Sequence, residues 1–153
     1  MVTGHQARLW NLPGKTLLDL TPNGAANTGA WAILATDATH PGLQAGKVDD
    51  GAALWRDTPD SYVSLHPAGA IESDAWSLYR ALQGGYAMFT VDAYHAALWT
   101  GTAGSFKDLH PAQITGVTDS FLRGTASGVQ VGNVLFDNDP VNSHAILWRF
   151  STP

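Results

Sequence analysis

Residues 95–111 have the sequence HAALWTGTAGSFKDLHP, and the landmarks of this stretch recur along the 153-residue chain. A Leu-Trp pair occurs four times, with Trp-to-Trp separations of 45, 44 and 49 residues, and an Ala stands three residues before each Trp. Ten residues after each of the first three Trp comes a Leu inside an x-Leu-x-Pro motif. This constant spacing predicts a repeated structural unit. The repeat positions are Trp10, Trp55, Trp99 and Trp148, with Leu20, Leu65 and Leu109.

Two further landmarks complete each unit. An aromatic residue lies 11, 11 and 12 residues past that Leu, at Trp31, Trp76 and Phe121. A glycine-rich segment closes the unit at residues 42–48 and 128–134, and the middle copy, at residues 84–91, is interpreted as having lost its Gln and Gly. We therefore expect one repeat domain over residues 1–153, with repeats at 5–50, 51–94 and 95–143 and a closing strand at 144–150.

The units have the composition of β-structure. Segments of four to seven residues rich in Val, Leu, Trp, Tyr and Phe are separated by Gly, Pro, Asn and Asp, and no segment has a convincing helical period. The sequence predicts an all-β fold with almost no helix. Four strands in about 45 residues is typical of a β-propeller blade, but three such units are too few for a ring. A β-trefoil, which closes with three four-stranded repeats, is the alternative.

The motifs themselves favour the propeller. His-Ala-Ala-Leu-Trp at 95–99, Asp-Leu-His-Pro at 108–111 and Gly-Val-Gln-Val-Gly at 128–132 resemble a bacterial extracellular repeat family named after its His-Ala-Phe motif. The resemblance implies propeller blades and an extracellular location, and it identifies no catalytic residue. The chain departs from the pattern where Ala97 and Ile146 replace the Phe.

Three blades leave sheet faces and a strand edge bare, which favours self-association. A homodimer, the commonest closed assembly, would give six blades. The surplus Leu-Trp strand at the C-terminus would then complete a blade of the neighbouring chain. The expected partner is therefore a second copy of this chain, with a glycan as the alternative ligand.

Composition excludes several classes of partner and cofactor. A net charge of −5 with eight Lys and Arg argues against nucleic acid. No apolar stretch is long enough to cross a membrane, and residues 1–10 lack the pattern of a secretory signal. The absence of Cys removes disulfides and thiolate sites. We expect no cofactor, no metal and no enzymatic activity, because no catalytic or phosphate-binding motif occurs.

The histidines and the most polar loop have structural interpretations. His95 and His144 lack a second ligand at metal-binding spacing, and we expect them to bond to a neighbouring loop. His66 and His110 share their position with Thr21, which indicates a turn-capping role. Asp137-Asn138-Asp139 lacks the spacing of a calcium loop.

The candidate ligand-binding residues lie around the third landmark. They are Trp31, Trp76 and Phe121, with Asp74, Asp119, Arg80 and Arg123 nearby to bond hydroxyl groups. The four Leu-Trp tryptophans are predicted to be core. Two functions follow: a non-enzymatic propeller module that assembles into a ring as a structural or interaction scaffold or, alternatively, a carbohydrate-binding module with one shallow aromatic site in each repeat.

Overall fold

A computed structural model describes residues 4–11, 14–35 and 42–150. The predicted all-β fold is confirmed: these residues contain no α-helix and only two short 3-10 turns, Pro59–Ser61 and Ala103–Ser105. Strands β1 to β13 span Arg8–Asn11, Thr16–Asp19, Thr28–Leu34, Leu43–Val48, Gly51–Trp55, Val63–Ser64, Glu72–Tyr79, Leu82–Thr90, Ala93–Trp99, Lys107–Asp108, Val117–Ala126, Val129–Phe136 and Asp139–Arg149.

The strands form four open antiparallel sheets, each built from neighbours in sequence. The first sheet has two strands (β1-β2), the second and third have four each (β3 to β6 and β7 to β10), and the fourth has three (β11 to β13). The sequence repeats are offset from the sheets by two strands. Each repeat begins with a Leu-Trp strand, and in an internal sheet this strand is the third of four. Each repeat unit thus supplies two strands to one sheet and two to the next, which couples neighbouring sheets covalently.

Three apolar clusters hold the sheets face to face in chain order, and the Leu-Trp pair of each internal sheet contributes to two of them. Successive strand residues point to opposite faces, so Leu54 packs toward the third sheet and Trp55 toward the first. In the same way, Leu98 packs toward the fourth sheet and Trp99 toward the second. The indoles of Trp55 and Trp99 are completely buried.

At both ends of the stack the same positions are exposed. Trp10 was predicted to be core but is 53% exposed, because no sheet precedes β1 in the described part of the chain. Leu147 on β13 is 47% exposed, since residues 4–11, 14–35 and 42–150 form no sheet beyond the fourth. Trp148, which faces the third sheet, is half-buried, and its indole N–H donates to the carbonyl oxygen of Leu109 at 2.8 Å.

Buried hydroxyl groups link the first strand of one sheet to the third strand of the sheet before it. Ser73 Oγ accepts a hydrogen bond from the backbone N–H of Ala52 at 2.8 Å and lies 2.8 Å from His66 Nδ1. The same three-way contact occurs in the other units, with Thr28, Ala7 and Thr21 and with Ser120, Ala96 and His110. The position shared by Thr and His is therefore a hydrogen-bonding position between sheets.

The glycine-rich segments let two neighbouring strands approach closely. A Cβ atom on Gly46, Gly85 or Gly132 would overlap a carbonyl oxygen of the adjacent first strand. No side chain can occupy this position without separating the strands.

The prediction that the middle repeat has lost its Gln and Gly was wrong. Gln83 lies opposite Trp99 just as Gln44 lies opposite Trp55, and Gly85 follows two residues later. Both Gln side chains are buried and accept a backbone N–H, from Asp57 at 2.9 Å and from Gly101 at 2.7 Å. The motif was missed because the segment was aligned three residues too late, with Gly84 rather than Ala81 matched to Gly42.

His95 and His144 each contact an acidic side chain. His95 Nδ1 lies 2.8 Å from the carboxylate of Asp108 and its ring stacks on that of His110, while His144 lies 3.2 Å from the carboxylate of Asp139. Within the described residues no three His, Cys, Asp or Glu side chains are grouped as metal ligands would be. No helix there has the length and apolar character needed to span a bilayer.

Candidate functional site

The candidate site lies on β3, β7 and β11, the first strands of three successive sheets. Each strand has a bulge against its neighbour, and the bulged residues are Trp31, Trp76 and Arg123. A bulge re-aims one side chain relative to the regular alternation of the strand. The structural equivalent of the two tryptophans in the third repeat is therefore Arg123, whereas Phe121 corresponds to Asp74.

Trp31 presents an exposed indole that is nevertheless held in place. The side chain is 56% exposed, and its Nε1–H donates to Asp74 Oδ1 across the sheet interface at 2.8 Å. A Cβ atom on Gly29 would collide with the indole, so the ring lies against the backbone of its own strand. The ring is thus held at its Nε1 edge and against the backbone at Gly29.

Trp76 has a different environment, although it occupies the equivalent position. The guanidinium of Arg123 lies over its ring at 4.1 Å from the centroid, and Phe121 stacks against it at 5.9 Å. Tyr86 packs against it at 4.7 Å. The Trp76 indole is half-buried and covered by these side chains, with a cation–π contact on its face.

Asp74 is a buried carboxylate, 6% exposed, between the second and third sheets. Burial raises the pKa of Asp74, because the charged form loses its hydration. Hydrogen bonds from Trp76 and Trp31 and the positive charge of Lys47 oppose this effect. The carboxylate therefore fixes Trp31 at some cost in desolvation.

A second polar cluster, which the sequence analysis did not find, lies beside Asp74. Glu72 accepts hydrogen bonds from Lys47 Nζ at 2.5 Å and from the Tyr86 hydroxyl at 2.6 Å. Burial favours the neutral acid, but the two hydrogen bonds and the positive charge of Lys47 together outweigh it and lower the pKa of Glu72. Burial and the Glu72 carboxylate raise the pKa of the Tyr86 hydroxyl, so it remains a donor.

The other two predicted site residues lie apart from this group. Asp119 accepts the backbone N–H of Tyr94 at 3.0 Å. Arg80 lies in the turn between β7 and β8, over the ring of Tyr79, and lines a cleft of about 760 Å³ with Arg56. Neither is brought into contact with Trp31.

A smaller cleft of about 280 Å³ adjoins Trp31. Its polar lining residues include Asn27, Lys47, Asp49 and Asp50. The Asp49 carboxylate accepts hydrogen bonds from the backbone N–H groups of residues 26 and 27. The described residues supply no hydrogen bond or ion pair to the Asp50 carboxylate. The arrangement combines one exposed aromatic face with donors and acceptors along its edge.

No family model matches this chain, and no curated protein or solved structure shows a significant similarity to it.

Proposed function

We propose that the protein is a non-enzymatic β-propeller repeat module that assembles with a second copy of itself into a closed ring and serves as a structural or interaction scaffold. Two features of the fold support this proposal. The sheets pack face to face in chain order, with β3 touching β7 and β7 touching β11, as blades around an axis would. A trefoil would instead join its repeats in one barrel, whereas strand pairing in the described residues stays within four separate sheets.

The observation that carries the proposal is the exposure of side chains that are buried elsewhere in the same stack. Ile33 on β3 is 62% exposed, while its equivalent on β7, Leu78, packs into the cluster between the second and third sheets. Ile33 is exposed because, as far as the structure describes the chain, the first sheet has no counterparts of β7 and β8. The fourth sheet has those strands, and Val131 on β12 is 46% exposed on the face turned away from the third sheet.

The first and fourth sheets are therefore complementary parts of one blade. The fourth contains the first three strands of a blade and lacks the last, and the first contains only the last two. Joined, they would cover Ile33 of one copy with Val131 of the other. Two copies joined at both ends would form six blades, four internal and two shared.

The first and fourth sheets each contain an equivalent of the third strand of an internal sheet, namely β1 and β13. Of these two strands, β13 suits the shared blade better. Ala145 and Leu147 repeat Ala7 and Leu9 on the face toward the next sheet. On the other face, β1 has Arg8 where the internal sheets have completely buried Ala53 and Ala97. Burying the charged guanidinium of Arg8 there is costly, whereas β13 supplies Ile146. We expect β13 of one copy to replace β1 of the next and to pair with its β2.

Cysteine trapping tests this exchange, because the chain has no native Cys. Leu9 lies opposite Leu18 in the β1-β2 pair, so Leu147 of a neighbour should lie opposite Leu18 after exchange. Under mild oxidation, L18C/L147C should form a reducible dimer, whereas L9C/L18C should remain largely uncross-linked, because its two residues are opposite each other only while β1 stays paired with β2. Leu17 points to the opposite face, so L17C/L147C should remain largely uncross-linked.

The mass of the unmodified protein, measured by light scattering, should be twice that of the 16.2 kDa chain. A single-chain mass at all concentrations would contradict the proposal. Equal cross-linking of L17C/L147C and L18C/L147C would indicate collision rather than strand exchange.

The carbohydrate-binding alternative has support at one position in the chain. It requires an exposed aromatic face in each repeat, but the Trp76 ring is covered by Arg123 and Phe121 packs against Trp76 and Tyr86. Only Trp31 among these three aromatic side chains is exposed. A single site in the chain is therefore better supported than one site in each repeat.

A further inference from the structure

We propose that Trp31 and the polar side chains beside it bind one pyranose ring of a neutral sugar. The site lies within a single chain, so the proposal does not depend on ring assembly. Three features carry it: the fixation of the indole, the polar groups at its edge, and the size of the adjoining cleft.

The indole is preorganised for stacking. Asp74 holds the Nε1 edge at 2.8 Å, and the backbone at Gly29 supports the ring. A fixed ring loses little conformational entropy when a ligand binds. The C–H groups on one face of a pyranose are apolar and slightly positive, which suits the negative face of an indole.

The polar groups match the hydroxyls at the edge of such a ring. The Asp50 carboxylate, which has no partner among the described residues, accepts hydrogen bonds from hydroxyl groups. Asn27 Oδ1 accepts a hydrogen bond from the backbone N–H of His5 at 3.3 Å. The side-chain amide N–H groups of Asn27 remain as donors. Lys47 is held by Glu72 and offers its remaining N–H donors. A site that offers both hydrogen-bond donors and acceptors suits a neutral polyhydroxyl ligand.

The cleft limits the ligand to a single ring. Its volume of about 280 Å³ is slightly below the roughly 300 Å³ of the smallest drug-sized ligand sites. At the equivalent position in the next repeat, Arg123 occupies the space over Trp76. We therefore expect one bound sugar residue for each chain, contacted on one face.

Saturation-transfer NMR and calorimetric titration with methyl glycosides of glucose, galactose, mannose and N-acetylglucosamine test the site. Mannitol serves as the control ligand, because it has hydroxyl groups but no ring face. At least one glycoside should bind more tightly than mannitol, with one site per chain. Trp31→Ala should lower that affinity by roughly tenfold or more, the effect of losing an aromatic contact worth about 1.4 kcal/mol.

Trp10 provides the matched control variant, since its indole is exposed to nearly the same extent, 53% against 56%, and lies outside the cleft. Trp10→Ala should leave sugar affinity unchanged, and Asp50→Ala should lower it several-fold. The proposal is overturned if no glycoside binds more tightly than mannitol. It is also overturned if Trp31→Ala and Trp10→Ala have the same affinity as the unmodified protein.

Discussion

The middle of the stack and its two ends use the same Leu-Trp dipeptide in opposite environments. Trp55 and Trp99 are fully buried between sheets, whereas Trp10 and Leu147 are about half exposed. The dipeptide is unchanged, so the difference comes from the number of neighbouring sheets. An internal sheet buries both faces, and a terminal sheet buries one.

This comparison separates two roles of one sequence motif. In the middle, the motif stabilises the folded chain by removing apolar surface from water. At the ends, the same apolar surface is exposed in the single chain, and in the proposed ring a sheet of the second copy would cover it. Stability and association should therefore respond differently to equivalent substitutions.

The largest expected difference is between Trp99 and Trp10. Trp99→Ala leaves a large cavity between the second and third sheets and should destabilise the fold by about 3–5 kcal/mol. Trp10→Ala removes an exposed side chain and should change the stability of the single chain by less than about 0.5 kcal/mol. Denaturant unfolding at low protein concentration measures both. Equal losses would mean that the ends and the middle are packed alike.

Glycine substitutions should give an intermediate effect. In Gly85→Ala the new methyl group meets the carbonyl oxygen of Asp74, so β7 and β8 must separate, at a cost of about 1–3 kcal/mol. Gly104→Ala is the control, because no atom lies within 4 Å of the added Cβ, and it should be nearly neutral. Thermal unfolding of both variants compares them. A neutral Gly85→Ala would show that the strand pair can relax.

The smallest effect concerns pH. Burial, with His95 nearby, lowers the pKa of His110 below 6.5, so the unfolded chain binds this proton more tightly than the folded one. This contribution to stability is present above pH 6.5 and is lost as the pH falls toward the folded-state pKa. His110→Thr, with the residue found in the first repeat, should reduce the loss of unfolding free energy between about pH 7.5 and about pH 5. If His110→Thr loses as much unfolding free energy as the unmodified protein over this pH range, the loss comes from other titratable groups.

The sequence predicted the all-β fold because repeated landmarks and turn residues are local signals. It did not predict which strands share a sheet, since the offset between repeat and sheet depends on contacts made after folding. The third repeat shows a second limit. Eleven residues separate Leu109 from Ser120, against eight from Leu65 to Ser73, and this insertion shifted the alignment from Arg123 to Phe121.

The candidate site was predicted in part. Trp31 and Trp76 were named from their repeat positions, and Asp74 and Arg123 as polar residues near the aromatic landmarks. The structure places these four residues on neighbouring strands. The group formed by Lys47, Glu72 and Tyr86 was missed because its members come from different sheets or strands and have no common spacing. Nothing in the sequence distinguished the exposed Trp31 from the covered Trp76, since the covering Arg123 arrives from the next repeat.

The two-strand offset has a consequence for how such a chain could change in length. Removing residues 51–94 would place β9 and β10 directly after β4, and the second sheet would again have four strands. Duplicating the same residues would insert one more complete sheet. In both cases the partial sheets at the two ends keep their strands, so whole units could be gained or lost without redesigning the proposed junction between copies.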